Sequence, residues 1–336
     1  MNRFTLVRLP TLAAASERVA KAPQTRVFRA GGIDLIDLMK EGIDGPDELV
    51  ELRAVGGDDG ARMHGIRETD GRWSIGALTT LGEIAEHADL GAGAFAALGL
   101  AAGSAATPGI RNAATLGGNL LQRPRCWYFR HVDLVCLKKG GAQCYALTGD
   151  NRYHAIFAGG PSFIVHASTM AVALLALDAK VVVRGPKAPR ELGIAELFQL
   201  PTVDATREHT LKDGEVVVAL ELPPAGADQR SIYAAVKENQ SHDWPLGEVA
   251  VRARLAGGKL ADVRVALGHV APVPWRAKAA EAALEGQAPS AELFAKAAEA
   301  ALEGAKALDH NAYKIPLCKG LMREALHRLC GVPLPE

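Results

Sequence analysis

The sequence predicts an α+β protein, with two small mixed segments followed by a sheet and helices. A glycine pair, Gly31-Gly32, separates a short apolar strand from a helical segment. A second glycine turn, Gly117-Gly118, interrupts the next segment. In the last third, three strand-like stretches precede alanine-rich helices, and strands followed by helices are typical of an α+β domain. These three observations fix the fold class that the sequence predicts.

The bulk composition excludes several function classes. The 336 residues allow two or three domains, and Lys+Arg and Asp+Glu both number 38. A neutral chain argues against a nucleic-acid partner, which usually needs a basic face. No apolar run approaches the roughly 20 residues that a membrane span requires. The N-terminus lacks a continuous apolar stretch, so we expect no signal peptide of its own.

The first segment, about residues 1–56, contains short strands and helices. Thr11 is a plausible cap for a helix that reaches Lys21. Val27-Phe28 predicts a strand, Asp34 to Glu41 a helix and Leu49 to Leu52 a second strand. The glycines and aspartates of residues 56–60 indicate a turn-rich break.

The second segment, about residues 57–227, begins with a strand and a helix and continues through the second glycine turn. Later apolar stretches alternate between strand and helix character. The predicted elements are strands at Trp73–Ala77, Phe163–His166 and Lys180–Arg184, helices from Thr80, at Ala92–Ala102 and at Ser168–Leu177, and a strand pair at Glu215–Leu222.

The last segment, residues 228–336, predicts a small α+β domain. Ser231–Lys237, Glu248–Leu255 and Ala261–Gly268 have strand character, and Gly257-Gly258 forms a hairpin turn between the last two. Three helices follow, and they are predicted at Trp275–Glu285, Ala291–Leu302 and Leu317–Leu329.

Both glycine turns have the character of anion-binding loops. A glycine pair before a helix lets backbone N–H groups approach a phosphate, and the helix dipole favours a negative charge there. Neither turn has the dinucleotide fingerprint G-x-G-x-x-G or the P-loop pattern. A hydroxyl at Thr115 and the amide of Asn119 add polar groups to the second turn. Two such turns could hold the two phosphates of one dinucleotide from opposite sides.

The two turns together resemble the FAD-binding medium subunit of the molybdenum hydroxylases. This family includes xanthine dehydrogenases, carbon monoxide dehydrogenases and bacterial aldehyde oxidoreductases. Its first motif, A-G-G-T-[DN]-L-L with L-M-[KR] after it, is similar to Ala30–Ile36 and Leu38–Lys40. Its second, I-R-N-x-A-T-[IL]-G-G-N, is similar to Ile110–Asn119. Ala266–Ala280 and Tyr233–Lys237 resemble C-terminal motifs, so the resemblance covers nearly the whole chain.

The resemblance implies a two-subdomain FAD-binding domain (PCMH-like) over residues 1–227, with a three-stranded C-terminal domain after it. This chain departs from the family pattern at Ile33, where the family usually has a threonine, and at Thr169, where it usually has an aspartate. The cofactor-binding residues that it implies are Phe28, Arg29, Ala30, Gly31, Gly32, Ile33, Asp34, Leu35, Thr115, Gly117, Gly118, Asn119, Thr169 and Lys237.

Three of the five cysteines fall within nineteen positions, at Cys126, Cys136 and Cys144. Their segment, about residues 122–160, reads as a loop-rich insertion. A disulfide framework is not expected in a large chain without a signal peptide. The spacing is compatible with an iron–sulfur cluster, zinc or free thiols. Cys318 and Cys330 stand at apolar positions of the last helix, which predicts buried free thiols.

One branch of the resembled family carries a 4Fe–4S cluster in an insertion of this kind. Cys126-Trp127-Tyr128-Phe129 and the segment 149–156 are similar to that branch. A fourth cysteine would be expected near Ser162, where this chain has serine. His154 could substitute for it, since imidazole ligates iron in some clusters. The alternative is a missing fourth ligand, which would give a three-iron or labile cluster.

The resemblance implies an electron-transfer subunit that holds FAD. Aldehydes or N-heterocycles would be oxidised at the molybdenum cofactor of a large partner subunit, and electrons would reach FAD through 2Fe–2S clusters of a small partner. A free-standing flavin oxidoreductase and a zinc-binding assembly subunit are the alternatives. The expected compartment is the cytoplasm, or the periplasm by co-export with a partner.

Overall fold

The computed structural model describes residues 1–226, 228–239 and 242–334. It confirms an α+β fold with three sheets, each covered by helices. The predicted domain boundary at residue 227 and the chain end at residues 335 and 336 lie outside the described residues. Within the described part, no helix is long and apolar enough to cross a membrane.

The first sheet is parallel, with the strand order β1-β3-β2. Its strands are β1 (Thr5–Arg8), β2 (Arg26–Arg29) and β3 (Glu48–Glu51), and the connecting helices are α1 (Leu12–Ala20) and α2 (Ile33–Lys40). The Thr11 hydroxyl accepts a hydrogen bond from the Ala14 N–H and so caps α1 as predicted. Because both β2 and β3 run parallel, the Gly31-Gly32 turn lies at the carboxyl end of the sheet.

The second sheet is antiparallel, in the order β4-β5-β8-β6-β7. Its strands are β4 (Ile66–Thr69), β5 (Arg72–Gly76), β6 (Lys180–Arg184), β7 (Arg190–Gly193) and β8 (Val216–Leu222). The helices of this segment are α3 (Gly57–Met63), α4 (Leu81–Glu86), α5 (Ala96–Ser104), α6 (Pro108–Arg111), α7 (Leu116–Leu120), α8 (Thr169–Ala176) and α9 (Ile194–Leu197). All eight residues of α8 are buried, so this helix runs through the centre of the molecule.

The third sheet has four antiparallel strands, in the order β12-β11-β10-β9. They are β9 (Gln229–Val236), β10 (Gly247–Ala256), β11 (Lys259–Gly268) and β12 (Trp275–Arg276), followed by helices α10 (Lys278–Leu284), α11 (Ala291–Ala301) and α12 (Lys314–Cys330). Gly257 and Gly258 both have positive φ, which is the backbone that a tight two-residue hairpin needs.

Several predicted elements are wrong. Residues 57–60 begin helix α3 and do not form a break, because acidic side chains in its first turn favour a helix start. Phe163–His166 is not a strand: its backbone bonds irregular partners, such as the carbonyl of Ala271. The stretch Glu215–Leu222 gives the single strand β8, and the C-terminal sheet gains the short fourth strand β12.

The central hydrophobic core joins the second and third sheets. Helices α5 and α8 lie in it, and both pack on strands of the C-terminal sheet. Tyr233, Ala250 and Ala266 of that sheet belong to the same buried cluster. Helix α8 also contacts α7, which contains Gly117 and Gly118, so this packing brings the C-terminal sheet next to the second glycine turn.

Candidate functional site

A cleft of about 660 Å³ opens between the two glycine turns. This volume is in the range of small-molecule and cofactor sites. Its wall contains every predicted cofactor-binding residue except Arg29. These residues are Phe28, Ala30, Gly31, Gly32, Ile33, Asp34, Leu35, Thr115, Gly117, Gly118, Asn119, Thr169 and Lys237. The fold thus brings together two turns that are more than eighty positions apart in sequence.

The first turn presents backbone donors to the cleft. Gly32 is the N-cap of α2 with φ 79°, and it supplies no side-chain cap. The first N–H groups of an α-helix have no intrahelical acceptor, so those that follow Gly32 can donate to an anion. A Cβ on Gly31 would lie 2.1 Å from the carbonyl oxygen of Ala113. The two turns are therefore in direct backbone contact, and only glycine fits at residue 31.

The second turn is built differently from the first, because its N–H groups have protein acceptors. Gly117 N–H bonds the Ala77 carbonyl at 2.8 Å, and Gly118 N–H bonds the Thr115 hydroxyl at 3.1 Å. The Thr115 hydroxyl accepts that bond and keeps its own proton for donation to a ligand. The Asn119 side chain accepts from the Ser168 hydroxyl at 2.6 Å and so fixes the start of α8. The expectation that both turns offer free backbone donors holds only for the first.

The remaining predicted residues divide into two that face the cleft and one that does not. Thr169 is buried, and its hydroxyl has no hydrogen-bond partner among the described residues. An orphaned buried hydroxyl on a cleft wall fits a bound polar group. The ammonium of Lys237 donates to the Ser104 carbonyl at 2.7 Å at the cleft edge. Arg29 forms an ion pair with the buried Glu51 and belongs to the first sheet.

Sequence reasoning missed several wall residues that come from distant segments. Arg125 has its guanidinium carbon 4.7 Å from the centre of the Trp244 ring. Arg123, Ser104 and His209 also line the cleft. No motif marks these positions, and only the place of Arg125 beside Cys126 could have drawn attention to it.

His166 lies two residues before Ser168, the N-cap of α8, and is almost fully buried. Its Nδ1 accepts from the Ser168 N–H, and its Nε2 has no partner among the described residues. The pKa of His166 is lowered to about 3, mainly by burial and to a lesser extent by the nearby charges of His269, His209 and Lys138. The imidazole is therefore neutral in the folded chain.

The His166 pKa leads to a prediction for acid stability. Because the unfolded histidine binds its proton near pH 6.5 and the folded one near pH 3, stability falls as pH drops through this window. Between about pH 6.5 and pH 4.5 the loss from this group alone is about 2 kcal/mol. Urea unfolding of His166→Gln should show a shallower decline with acid than wild type. The same substitution at the exposed His64 should keep the wild-type slope, and an unchanged slope in His166→Gln would contradict the assignment.

Two of the three clustered cysteines, Cys126 and Cys136, belong to a small apolar cluster that contains Leu38 of α2. Cys136 is buried and packs with Leu38 of α2 and Phe129. The Cys126 sulfur is 3.2 Å from Nε2 of His154, and the Cys144 sulfur accepts from the Phe163 N–H at 3.5 Å. Ser162, buried and next to Phe163, stands where a fourth cysteine was expected. Among the four predicted ligands, the structure thus brings Cys126 and His154 into direct contact.

The Cys126 thiol would lose its proton only beside a positively charged partner such as a metal ion. Burial raises the pKa of Cys126 to about 12, while N–H groups of Phe129 and Tyr128 act in the opposite direction. Burial lowers the pKa of His154 to about 4, so its imidazole is neutral and has a nitrogen lone pair available for a metal. In residues 1–226, 228–239 and 242–334, no three His, Cys, Asp or Glu side chains converge as one metal ion requires. Cys318 and Cys330 are free thiols, but only Cys318 is buried as predicted, because Cys330 lies at the partly exposed end of α12.

A cleft with free donors at a helix start, an orphaned hydroxyl and a second glycine turn defines a protein that binds a phosphate-bearing cofactor. The chain belongs to the family of FAD-binding domains of molybdopterin dehydrogenases, whose sequence pattern matches residues 2–225. The C-terminal domain of carbon monoxide dehydrogenase flavoproteins matches residues 231–329. The family that the motifs predicted is thus confirmed, and the chain is a flavin-binding oxidoreductase subunit.

Individual relatives agree with the family. The chain is 36% identical to the aldehyde oxidoreductase FAD-binding subunit PaoB of Escherichia coli K12, over 97% of this chain and 98% of that protein. It is 25% identical to the carbon monoxide dehydrogenase medium chain of Hydrogenophaga pseudoflava, over 77% and 72% of the two chains. A solved carbon monoxide dehydrogenase from that organism has the same fold, with TM-score 0.77, 24% identity and 98% of both chains covered.

Proposed function

We propose that this chain is the FAD-binding electron-transfer subunit of a molybdenum hydroxylase that oxidises aldehydes or N-heterocycles. The observation that carries the proposal is the single cleft that joins both family motifs through the Gly31–Ala113 contact. FAD bound there would supply a centre that accepts electrons singly and delivers them in pairs. The chain's own residues bind and orient the cofactor.

The proposed placement of the cofactor follows from the donors of the cleft. The N–H groups at the start of α2 take a phosphate, since α2 has no side-chain cap there. The Thr115 and Thr169 hydroxyls supply further polar contacts, and Lys237 adds positive charge at the edge. Ile33 brings no hydroxyl and is partly exposed. Backbone donors therefore replace the hydroxyl that the family has at this position.

The proposed partners are a large subunit with a molybdenum cofactor and a small subunit with 2Fe–2S clusters. Two kinds of relative support them: a protein named as an FAD-binding subunit and one named as a medium chain. Substrate would then be oxidised outside this chain, and electrons would arrive through the small subunit and leave to an external acceptor.

Anaerobic addition of an aldehyde to the co-purified complex tests this division of labour. We expect the flavin absorbance to bleach in the complex and to stay unchanged in the isolated, FAD-loaded chain. Dithionite should bleach both samples, which shows that the flavin is competent in each. Bleaching of the isolated chain by substrate would contradict the proposal and indicate a free-standing flavin oxidoreductase.

We also propose that Cys126, Cys136 and Cys144 hold a 4Fe–4S cluster, with His154 as the fourth ligand. Support comes from the packing of Cys126 beside the buried Cys136, the N–H donors to sulfur and the His154 ring beside Cys126. A polynuclear cluster also suits ligands that do not converge on one ion, because its irons sit at separate corners.

Iron and acid-labile sulfide measured on the anaerobically purified chain test the cluster. We expect both in wild type and in Cys330→Ser, and neither in Cys136→Ser. His154→Ala should keep Cys-bound iron but change the electron paramagnetic resonance signal of the reduced cluster. Zinc without sulfide would favour the assembly-subunit alternative, and a metal-free wild type would indicate structural thiols.

For the compartment, we propose the cytoplasm, or the periplasm when a partner's export signal carries the folded complex. Fractionation of the native host with an antibody to this chain decides between the two. Recovery in the periplasm only when the partner is present would support co-export.

A further inference from the structure

We call the cysteine-bearing segment, about residues 122–160, the cysteine loop. Two of its arginines bind the acidic face of α2. Arg130 is 2.6 Å from Asp34, 3.2 Å from Asp37 and 3.1 Å from Glu41. Arg125 is 2.9 Å from both Asp34 and Asp37. We call these five side chains the arginine clamp. Only 8% of the Arg130 side chain is exposed, so water and salt screen its charge poorly.

The apolar face of α2 depends on the same loop. Its buried residues are Leu38 and Met39. Leu38 packs in a small cluster with Phe129 and Cys136, both from the cysteine loop. The loop therefore holds α2 on its charged side and on its apolar side.

The arginine clamp is also tied directly to the thiol site. The Arg130 N–H donates to the Cys126 carbonyl at 3.0 Å, and its Nε donates to the Pro124 carbonyl at 2.9 Å. Arg125 precedes Cys126 in the chain and lines the cleft. A change in the conformation of the Cys126 backbone must therefore move the guanidinium groups that bind α2.

The acidic charge of α2 matters because its N-terminus is the proposed phosphate site. Asp34 lies in the first turn of α2, and both Asp34 and Asp37 line the cleft. Unpaired carboxylates at this position would repel a diphosphate and oppose the favourable helix dipole. The ion pairs with Arg125 and Arg130 neutralise these carboxylates, so they no longer repel a diphosphate. The acids fix the arginines in place, and the arginines make the helix start acceptable to an anion.

We propose that the cysteine loop is a component of the FAD site and couples FAD affinity to the state of the thiol site through the arginine clamp. This inference rests on the proposed function, since it needs FAD in the cleft. Linkage is reciprocal, so bound FAD also stabilises the loop and whatever the thiols hold. Arg130 is a positioning residue that acts through α2, whereas Arg125 binds α2 and also lines the cleft.

A titration of the flavin-free full chain with FAD tests the role of the arginine clamp. We expect Arg125→Gln to weaken binding at least tenfold, and more strongly at low salt. Arg152→Gln, in the same segment but paired with the exposed Asp150, should bind as wild type. Asp37→Asn in the Arg125→Gln background should restore part of the affinity, because it removes the uncompensated charge. A merely structural loss would not be rescued in this way.

The thiol side of the coupling is tested with Cys136→Ser against Cys330→Ser. We expect the FAD affinity to fall severalfold in the first variant only. Far-ultraviolet circular dichroism shows whether each variant is folded. If Cys136→Ser does not fold, the Arg125→Gln and Asp37→Asn variants alone test the coupling. A wild type that fails to bind FAD overturns the proposed function. A wild type that binds FAD, with Arg125→Gln binding equally well, overturns the coupling alone.

Discussion

Gly31→Ala should abolish stable FAD binding and lower the free energy of unfolding by about 2–3 kcal/mol, the cost of overpacking a tight contact. The new methyl group would lie 2.1 Å from the Ala113 carbonyl oxygen and 3.0 Å from its carbon. Both are backbone atoms and move only with their turn, so the two walls of the cleft must separate. Titration with FAD and urea unfolding measure the two effects.

The matched control for this substitution is Gly320→Ala. Gly320 lies in α12 with nothing within 4 Å of its added Cβ. Alanine there should leave FAD binding unchanged and raise stability by up to about 1 kcal/mol, because alanine is the better helix former. Wild-type affinity in Gly31→Ala would mean that the contact between the turns does not shape the cofactor site.

Lys314→Met should lower the free energy of unfolding by about 3 kcal/mol. The Lys314 ammonium is almost fully buried and donates to the carbonyls of Tyr153, His154 and His269, at 3.1, 3.2 and 2.6 Å. Methionine fills a similar volume but leaves the carbonyls of Tyr153 and His269 without this donor, and each unsatisfied buried group costs about 1–3 kcal/mol. The His154 carbonyl keeps a hydrogen bond from the Asn311 side chain. Removal of the buried charge offsets part of that cost. Urea unfolding measures the difference.

Lys319→Met is the control on the same helix. Lys319 pairs with the exposed Glu299, and such surface pairs contribute about 0–1 kcal/mol. We also expect Lys314→Met to increase proteolysis of the cysteine loop, since Lys314 holds the segment that carries His154. Equal stability of the two variants would contradict the structural role of Lys314.

The elements with local signals could be predicted from sequence. Thr11 and Thr80 cap α1 and α4, and the glycines at 257 and 258 set the hairpin, because caps and turns depend on neighbouring residues. The short strands β1 and β12 escaped notice, since four or two residues carry little periodicity. Phe163–His166 has the composition of a strand, but its backbone partners are distant and irregular.

In the candidate site, too, only the residues within local motifs could be predicted from the sequence. The glycine turns and the cysteines carry motifs, so their residues were found. Arg125, Ser104 and Trp244 reach the cleft from three separate segments through tertiary packing. The contact of Gly31 with the Ala113 carbonyl is equally invisible in the sequence, although it explains why residue 31 must be glycine.

The central claim is that the cleft between the two glycine turns holds FAD. The most direct measurement is the flavin content of the purified full chain, released by denaturation and identified by chromatography, after saturation with FAD and removal of the excess. The account predicts one FAD for each wild-type chain and none for Gly31→Ala. A wild-type chain that retains no flavin, or a Gly31→Ala chain that retains as much as wild type, would contradict it.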